Sequence, residues 1–323
     1  MATVGTSVPA YAGDPRTGDD TGTGQQAPPT PGAGATSTAG TIGAHIQIRQ
    51  SRTGRSGGST ATATSSDANW KPPVCWYEPM YTSDEYEKFI KDAYGGAQEP
   101  AASYAKKRDE ENYHKGDKGL WWKVQFRNDT YSTVCPVTTD NWEIWVPPAD
   151  PRPDPHKLTP QMLSELAYNS TKLPTPPVVL SPDADRLIVN LGTRVKLDSD
   201  FDRVWTTADI EYTGVRMAAT TVATPVALKV DAGTADADPG SCTYDLVKGE
   251  GGYRVDSRDA GCNVTYRRSS GSGTYSLKAS ITWKVTWTDS ADPDGPARQP
   301  GLPDGLSTIE QNVAVKEIQS VNR

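Results

Sequence analysis

Histidine and phenylalanine are nearly missing from this chain, each occurring three times in 323 residues. His45 falls in a low-complexity tail, His156 in a proline-rich connector, and only His114 lies in a segment dense enough to fold. A preformed histidine metal site or a Ser-His-Asp triad is therefore not expected. No apolar run reaches the roughly 18 residues that a membrane-spanning helix needs, so no membrane span is expected. Lys and Arg number 33 against 40 Asp and Glu, a net charge of −7. Phosphate contact needs clustered cations, so nucleic acid is not an expected partner. The sequence also lacks Cys-x-x-Cys, Gly-x-Ser-x-Gly, His-Glu-x-x-His and a phosphate-cradling loop. Gly22-Thr-Gly-Gln-Gln-Ala27 formally matches a dinucleotide fingerprint, but no strand precedes it and no helix follows.

Tryptophan (9) and tyrosine (14) take the place of phenylalanine. Both join an apolar body to a polar tip, which suits half-exposed sheets and binding surfaces. Length and composition predict a disordered tail and two folded regions. Residues 1–68 are rich in Gly, Ser, Thr, Ala and Pro, with Tyr11 as the only aromatic, and are expected to be disordered. Within them, Ala44-His-Ile-Gln-Ile-Arg49 alternates and could dock as a short strand. Residues 69–172 form a small aromatic-rich α+β region. Its first helix starts at the capping box Thr82-Ser-Asp-Glu85 and carries Tyr86, Phe89, Ile90 and Tyr94 at helical spacing. A polar second helix is expected from about 103 to 114. Leu120–Phe126 and Asn141–Val146 read as strands. Thr159-Pro160 opens a third helix, as an N-cap followed by proline at the first helical position.

Residues 173–323 read as mainly β, an antiparallel sandwich of about seven or eight short strands. Its strongest segment is Tyr275-Ser-Leu-Lys-Ala-Ser-Ile-Thr-Trp-Lys-Val-Thr-Trp287, apolar at every odd position. Strand side chains alternate between faces, so Tyr275, Leu277, Ala279, Ile281, Trp283, Val285 and Trp287 form a buried face. The alternating run that begins at Cys262, followed by the turn residues 269–274, is expected to pair with it as a hairpin.

The cysteines at 75, 135, 242 and 262 can pair in three ways. Cys75–Cys135 with Cys242–Cys262 keeps each bridge inside one region, and disulfides point to an oxidising compartment. Met1 to Pro9 shows neither the basic nor the apolar part of a signal peptide, so either a leader lies outside this sequence or the chain is cytosolic; the cysteines favour the first, and export is expected on that ground. Two aspartate groups, Asp198/Asp200/Asp202 and Asp289/Asp292/Asp294, could be oxygen ligands for calcium. Aspartate is also a common turn former, and no cofactor is assigned. The recognition surface is expected among the aromatics of 70–146, with Trp121, Trp122, Trp142 and Trp145 as its anchors.

Val230-Asp-Ala-Gly-Thr-Ala-Asp236, Val264-Thr-Tyr266 and Gly273-Thr-Tyr-Ser-Leu277 together resemble the signature of PKD-type β-sandwich domains, with Val230 where that signature has an aromatic. Pro72-Pro-Val-Cys-Trp-Tyr-Glu-Pro79, the Thr-Tyr-Arg-Arg-Ser-Ser run at 265–270 and the terminal Val315–Arg323 are similar to a group of uncharacterised secreted proteins of filamentous actinobacteria. The resemblance spans roughly 70–323. It implies an exported protein with a PKD/Ig-like sandwich and carries over no catalytic residue. The function expected is non-catalytic: protein–protein adhesion or a structural part of a cell-envelope or surface assembly. A carbohydrate-binding module stacking sugars on the four tryptophans is the alternative, and a glycan hydrolase a more distant one.

Overall fold

The computed structural model describes residues 36–42, 45–52, 60–99, 101–127, 135, 137–138, 141–148, 156–197, 202–256 and 261–318. The N-terminal part supplies β1 (Thr36–Ile42), β2 (Ile46–Arg52), β3 (Thr60–Thr62) and β4 (Thr64–Ser65). Then come β5 (Cys75–Tyr81), α1 (Ser83–Tyr94), α2 (Ala101–Glu110), a single 3-10 turn Asn112–His114, β6 (Leu120–Phe126) and β7 (Glu143–Val146). α3 (Pro160–Ser170) leads into β8 (Lys172–Pro174), β9 (Val178–Ser181), β10 (Leu187–Ile188), β11 (Gly192–Leu197), β12 (Val204–Tyr212) and β13 (Val215–Asp231). The remainder is β14 (Ser241–Gly249), β15 (Gly252–Val255), β16 (Val264–Thr265), β17 (Tyr275–Thr288), β18 (Gly305–Val313) and β19 (Val315–Lys316).

Nine strands join one curled antiparallel sheet in the order β1-β2-β12-β13-β17-β18-β4, with β14 and β15 branching from β13. The 17-residue β13 is its spine. On one edge β13 pairs with β12 up to Ala223 and with β14 from Ala227; on the other it pairs with β17 from Thr220 to Asp231. Pro225 sits between those two partners, at the bulge where the register with β17 shifts. Proline has no N–H to give to a ladder, so the strand carries it at the one place where a partner has ended and the next has not begun. Bulges sharpen local twist, which accounts for the curl.

The buried face of β17 is as its alternation predicts. Leu277, Ala279, Ile281, Trp283, Val285 and Trp287 are buried and Tyr275 is half-buried. Both tryptophans place their N–H groups on acceptors, Trp283 on Ser307 Oγ at 2.9 Å and Trp287 on the Pro300 carbonyl at 2.8 Å. The predicted hairpin does not form. β17 pairs with β13 and β18, whereas β16 pairs with β11 in a separate three-stranded sheet, β16-β11-β9. Alternation tells which face a strand buries but not which strand lies beside it. The turn at 269–274 carries the chain across from the small sheet to the large one, and Leu180 of β9 and Val264 of β16 share one core with β17.

The N-terminal boundary also changes. Residues 1–35 lie outside the described residues, but β1 and β2 form a hairpin, and β2 pairs with β12 from Arg52↔Val204 to Gln47↔Asp209. Composition alone suggested disorder here, but an edge hairpin draws on backbone N–H and C=O groups already presented by its neighbour. Ile46 and Ile48 of β2 are both buried. Similarly, α3 belongs with the large sheet rather than the small region. Its Ser164 carbonyl accepts a hydrogen bond from Thr221 on β13, and Thr171 just past its end bonds Thr206 on β12.

The small region is a three-stranded antiparallel sheet, β5-β6-β7, with α1 and α2 on one face. α1 begins with the expected capping box, Thr82 accepting from the Glu85 N–H and Glu85 accepting from the Thr82 N–H. Asn112, Tyr113 and His114 all have positive φ (49°, 52° and 57°). Left-handed backbone costs about 1–2 kcal/mol per non-glycine residue. Here it is held from several sides. Trp121 Nε1 donates to the Tyr113 carbonyl at 3.0 Å, Ser83 Oγ donates to the His114 carbonyl at 3.0 Å, and the His114 ring lies parallel to Trp145 at 4.6 Å.

Both intraregional disulfides are present. Cys75–Cys135 closes a separation of 60 residues and Cys242–Cys262 one of 20. The first ties the start of β5 to the segment before β7; the second ties β14 to the residues leading into β16.

Candidate functional site

The two faces of the β5-β6-β7 sheet have different fates. Residues pair across it as Leu120↔Val146, Trp121↔Trp145, Trp122↔Ile144 and Lys123↔Glu143. Successive strand residues point opposite ways, so Trp121, Lys123, Trp145 and Glu143 face α1 and α2, while Leu120, Trp122, Ile144 and Val146 face the large sheet.

The helix-side face is closed and polar at its centre. Trp121 stacks on Tyr86 at 4.0 Å and is 1% exposed. Tyr86 shares a hydroxyl–hydroxyl bond of 2.9 Å with Tyr104, which donates to Glu143 Oε2 at 2.6 Å. Arg108 lies over the rings of Tyr104 and Trp121, at 4.8 and 5.1 Å from their centres, and pairs with Glu111 at 2.9 Å. Burial raises the pKa of Glu143 above the ordinary carboxylate range, against the opposing influence of Lys123. Its Oε1 is buried without a hydrogen bond, which fits a neutral acid better than an anion. Burial likewise pushes both tyrosine hydroxyls upward.

The sheet-side face opens into a groove of about 720 Å³ between the small region and the large sheet. Five segments distant in sequence make it: Thr82 at the start of α1, Gly119, Leu120 and Trp122 at β6, Val146-Pro147-Pro148 at the end of β7, Lys157–Thr159 before α3, and the β12–β13 turn with Val215 and Met217. Thr213 and Gly214 form that two-residue turn with φ of 41° and 84°. Positive φ at both central positions is the twist-matched hairpin geometry, reached here with a β-branched residue in the first place. The turn is fastened to the small region by Tyr212, whose hydroxyl donates to the Glu85 carboxylate of the α1 capping box.

Beside that fastening lies a second polar contact. Glu78, in the middle of the aromatic strand β5, is fully buried. It accepts from Trp76 Nε1 at 2.9 Å and from the backbone N–H of His45 at 3.2 Å. The His45 imidazole stacks on Tyr212 at 4.4 Å, and its Nδ1 lies 4.0 Å from Glu78 Oε1. One charged residue inside an otherwise apolar strand was the sequence signal for this contact; the groove had no local signal.

Of the four tryptophans expected as a recognition surface, Trp121 and Trp122 are buried, on opposite faces of their sheet. The period of two forbids adjacent strand residues from sharing a face, so the pair could not have formed one exposed platform. Trp145 is half-buried, with His114 parallel to one face and Trp121 against its edge. Trp142 is half-buried against Phe126 at 5.7 Å. Only Trp122 borders the groove.

Asp198 and Asp200 lie outside the described residues, and Asp202 accepts from the Arg203 N–H at 2.7 Å. Asp289 pairs with Arg298 at 2.7 Å and Asp294 with Arg203 at 2.8 Å, and Asp292 Oδ1 accepts from the Asp294 N–H. Those carboxylates are committed to turns and cross-links. Among the described residues no group of three or more His, Cys, Asp or Glu side chains is gathered as a metal site. No helix of the described residues is long and apolar enough to cross a membrane.

Comparison with known protein families, with curated proteins and with solved structures finds no match to this chain.

Proposed function

We propose that this chain is a non-catalytic, exported protein of the cell envelope or extracellular space, acting in adhesion to another protein or as a structural part of a surface assembly. The groove is its docking site, and the occupant is an extended apolar segment of a partner protein. The groove itself carries this reading. It lies at the junction of two regions, with a proline pair, Trp122 and Met217 around it and strand β7 ending at its rim. Proline and aromatic walls suit an extended chain, and methionine adapts to varied side chains.

The export half of the proposal is supported by the two bridges, with no free cysteine among the described residues. The PKD-like reading of the sandwich is supported by how its motif residues meet. Asp231 Oδ1 accepts from the Gly233 N–H, Tyr266 donates to the Ala232 carbonyl, and Tyr266 stacks on Tyr275 at 5.4 Å.

The test is selection of extended peptides from a displayed library against the full chain, followed by Met217→Glu. Selected peptides should lose about tenfold or more in affinity for the variant, the loss expected when charge enters an apolar contact. Peptides that bind the variant equally well would move the site elsewhere. Retention on insoluble glycan, unaltered in the variant, would replace the protein partner with a carbohydrate, and released sugar would make the chain an enzyme.

A further inference from the structure

We propose that His45 and Glu78 form a proton-operated clasp that fastens the N-terminal β1–β2 hairpin to the rest of the molecule. The hairpin is bonded to the large sheet along one edge only, through the β2–β12 ladder. Two contacts reach out of that sheet: Gln50 of β2 bonds the backbone of Lys172 on β8, and at the turn His45 meets Glu78 on β5.

Two contacts of the imidazole favour a positive charge there. Glu78 offers a carboxylate oxygen 4.0 Å from Nδ1, inside a fully buried site where screening by water is weak. On the ring's flat side, Tyr212 stacks at 4.4 Å, and an imidazolium over an aromatic face gains a cation–π attraction that neutral imidazole lacks. The Tyr212 hydroxyl donates to the Glu85 carboxylate of α1, which places a second anion behind the ring. Along β2 and β12, Arg49 pairs with Asp209, and Glu211, next to Tyr212, pairs with Arg216 across the β12–β13 turn. Histidine is the side chain that gains its proton between neutral and mildly acidic pH.

Acidification therefore tightens the hairpin, and rising pH loosens it. Loosening would uncover the β12 edge, a row of backbone donors and acceptors next to the turn that walls the groove. This inference does not depend on the groove being a binding site.

Hydrogen-exchange protection of the Ile46–Arg52 amides in the full chain tests it, corrected for intrinsic exchange and referred to β17. Between about pH 7.5 and about pH 5.5, wild-type protection should rise about fivefold or more, the gain of one close ion pair. In His45→Gln and in Glu78→Gln the rise should vanish, and in Tyr212→Phe, which keeps the ring, it should persist. A flat wild-type profile overturns the proposal. So does a rise that survives in either variant, which would assign it to another acid such as Glu143. A His45→Gln hairpin unprotected at every pH also overturns it, because His45 would then hold the hairpin by packing and not by charge.

Discussion

The large sheet and the small region are both rich in tyrosine and tryptophan, yet they are stabilised in different ways. On β17 the aromatic rings are spaced by aliphatic residues in strict alternation, and each indole N–H finds a neutral acceptor. In the small region the rings of Tyr81, Tyr86 and Trp121 pack directly on one another or on Phe89, around a buried acid that two tyrosine hydroxyls address in series. The first core depends on shape alone. The second depends on shape and on the protonation state of one carboxyl group. Two regions of similar composition should therefore fail under different insults.

The largest expected effect lies in the sheet, where close packing of backbones leaves no slack. A Cβ on Gly233 would lie 1.9 Å from the Ser276 carbonyl oxygen, at a φ of +70°. Gly233→Ala should destabilise the sheet by about 5 kcal/mol or more, because neither the turn nor the strand beneath it can yield. Chemical denaturation followed by tryptophan fluorescence will measure it, and a loss below about 1 kcal/mol would show that the two backbones can part.

Next comes removal of the Cys75–Cys135 bridge, which closes the longer of the two loops. Loop-closure entropy puts its contribution at about 4 kcal/mol, against about 3 for Cys242–Cys262. Replacing Cys75 and Cys135 with alanine should unfold the small region before the sheet. Separate melting transitions by near-ultraviolet circular dichroism would sharpen the contrast, and one unchanged cooperative transition would erase it.

A smaller effect distinguishes the two cores by pH. Glu143 has its pKa raised in the folded state. Below the unfolded value both states bind the proton and the group is neutral towards stability. As pH rises through that value, only the unfolded chain releases the proton, so the small region loses stability until the folded carboxyl also ionises. Glu143→Gln should flatten this decline between acid and neutral pH without altering the sheet. An unchanged pH profile in the variant would show that another group carries the dependence.

The smallest effect tests the turn that walls the groove. Thr213 holds a φ of 41°, which costs a β-branched side chain more than it costs asparagine. Thr213→Asn should stabilise the protein by about 1 kcal/mol, readable as a rise in Tm. Destabilisation would mean that the threonine side chain supplies a contact worth more than the strain.

What could be read in the sequence was what depends on near neighbours. The buried face of β17, the capping box at Thr82–Glu85 and the Thr159-Pro160 helix start are set by spacing within a few residues, and all three are present. Cysteine placement led to the observed pairing, once each bridge was confined to one region. Partnership between distant segments was not legible. The alternating run before β17 pairs with β11; in the N-terminal segment the alternation of Ala44–Arg49 marked the docking strand β2, but not its partner β12 or the hairpin it makes with β1. The groove draws one or a few residues from each of five segments, so no local pattern marks it. The tryptophan pair was legible and misread, because alternation already assigned Trp121 and Trp122 to opposite faces.

The long strand β13 has a mechanical consequence. It is bonded to β12 and β14 along one edge and to β17 along the other. Tension directed along its axis strains all three ladders in parallel, so many bonds share the load before any gives way. Tension on Thr36 acts differently, opening the β1–β2 ladder from its free end one residue pair after another. A molecule held at its N-terminus would thus extend by surrendering the hairpin first, while the spine and everything attached to it kept their shape.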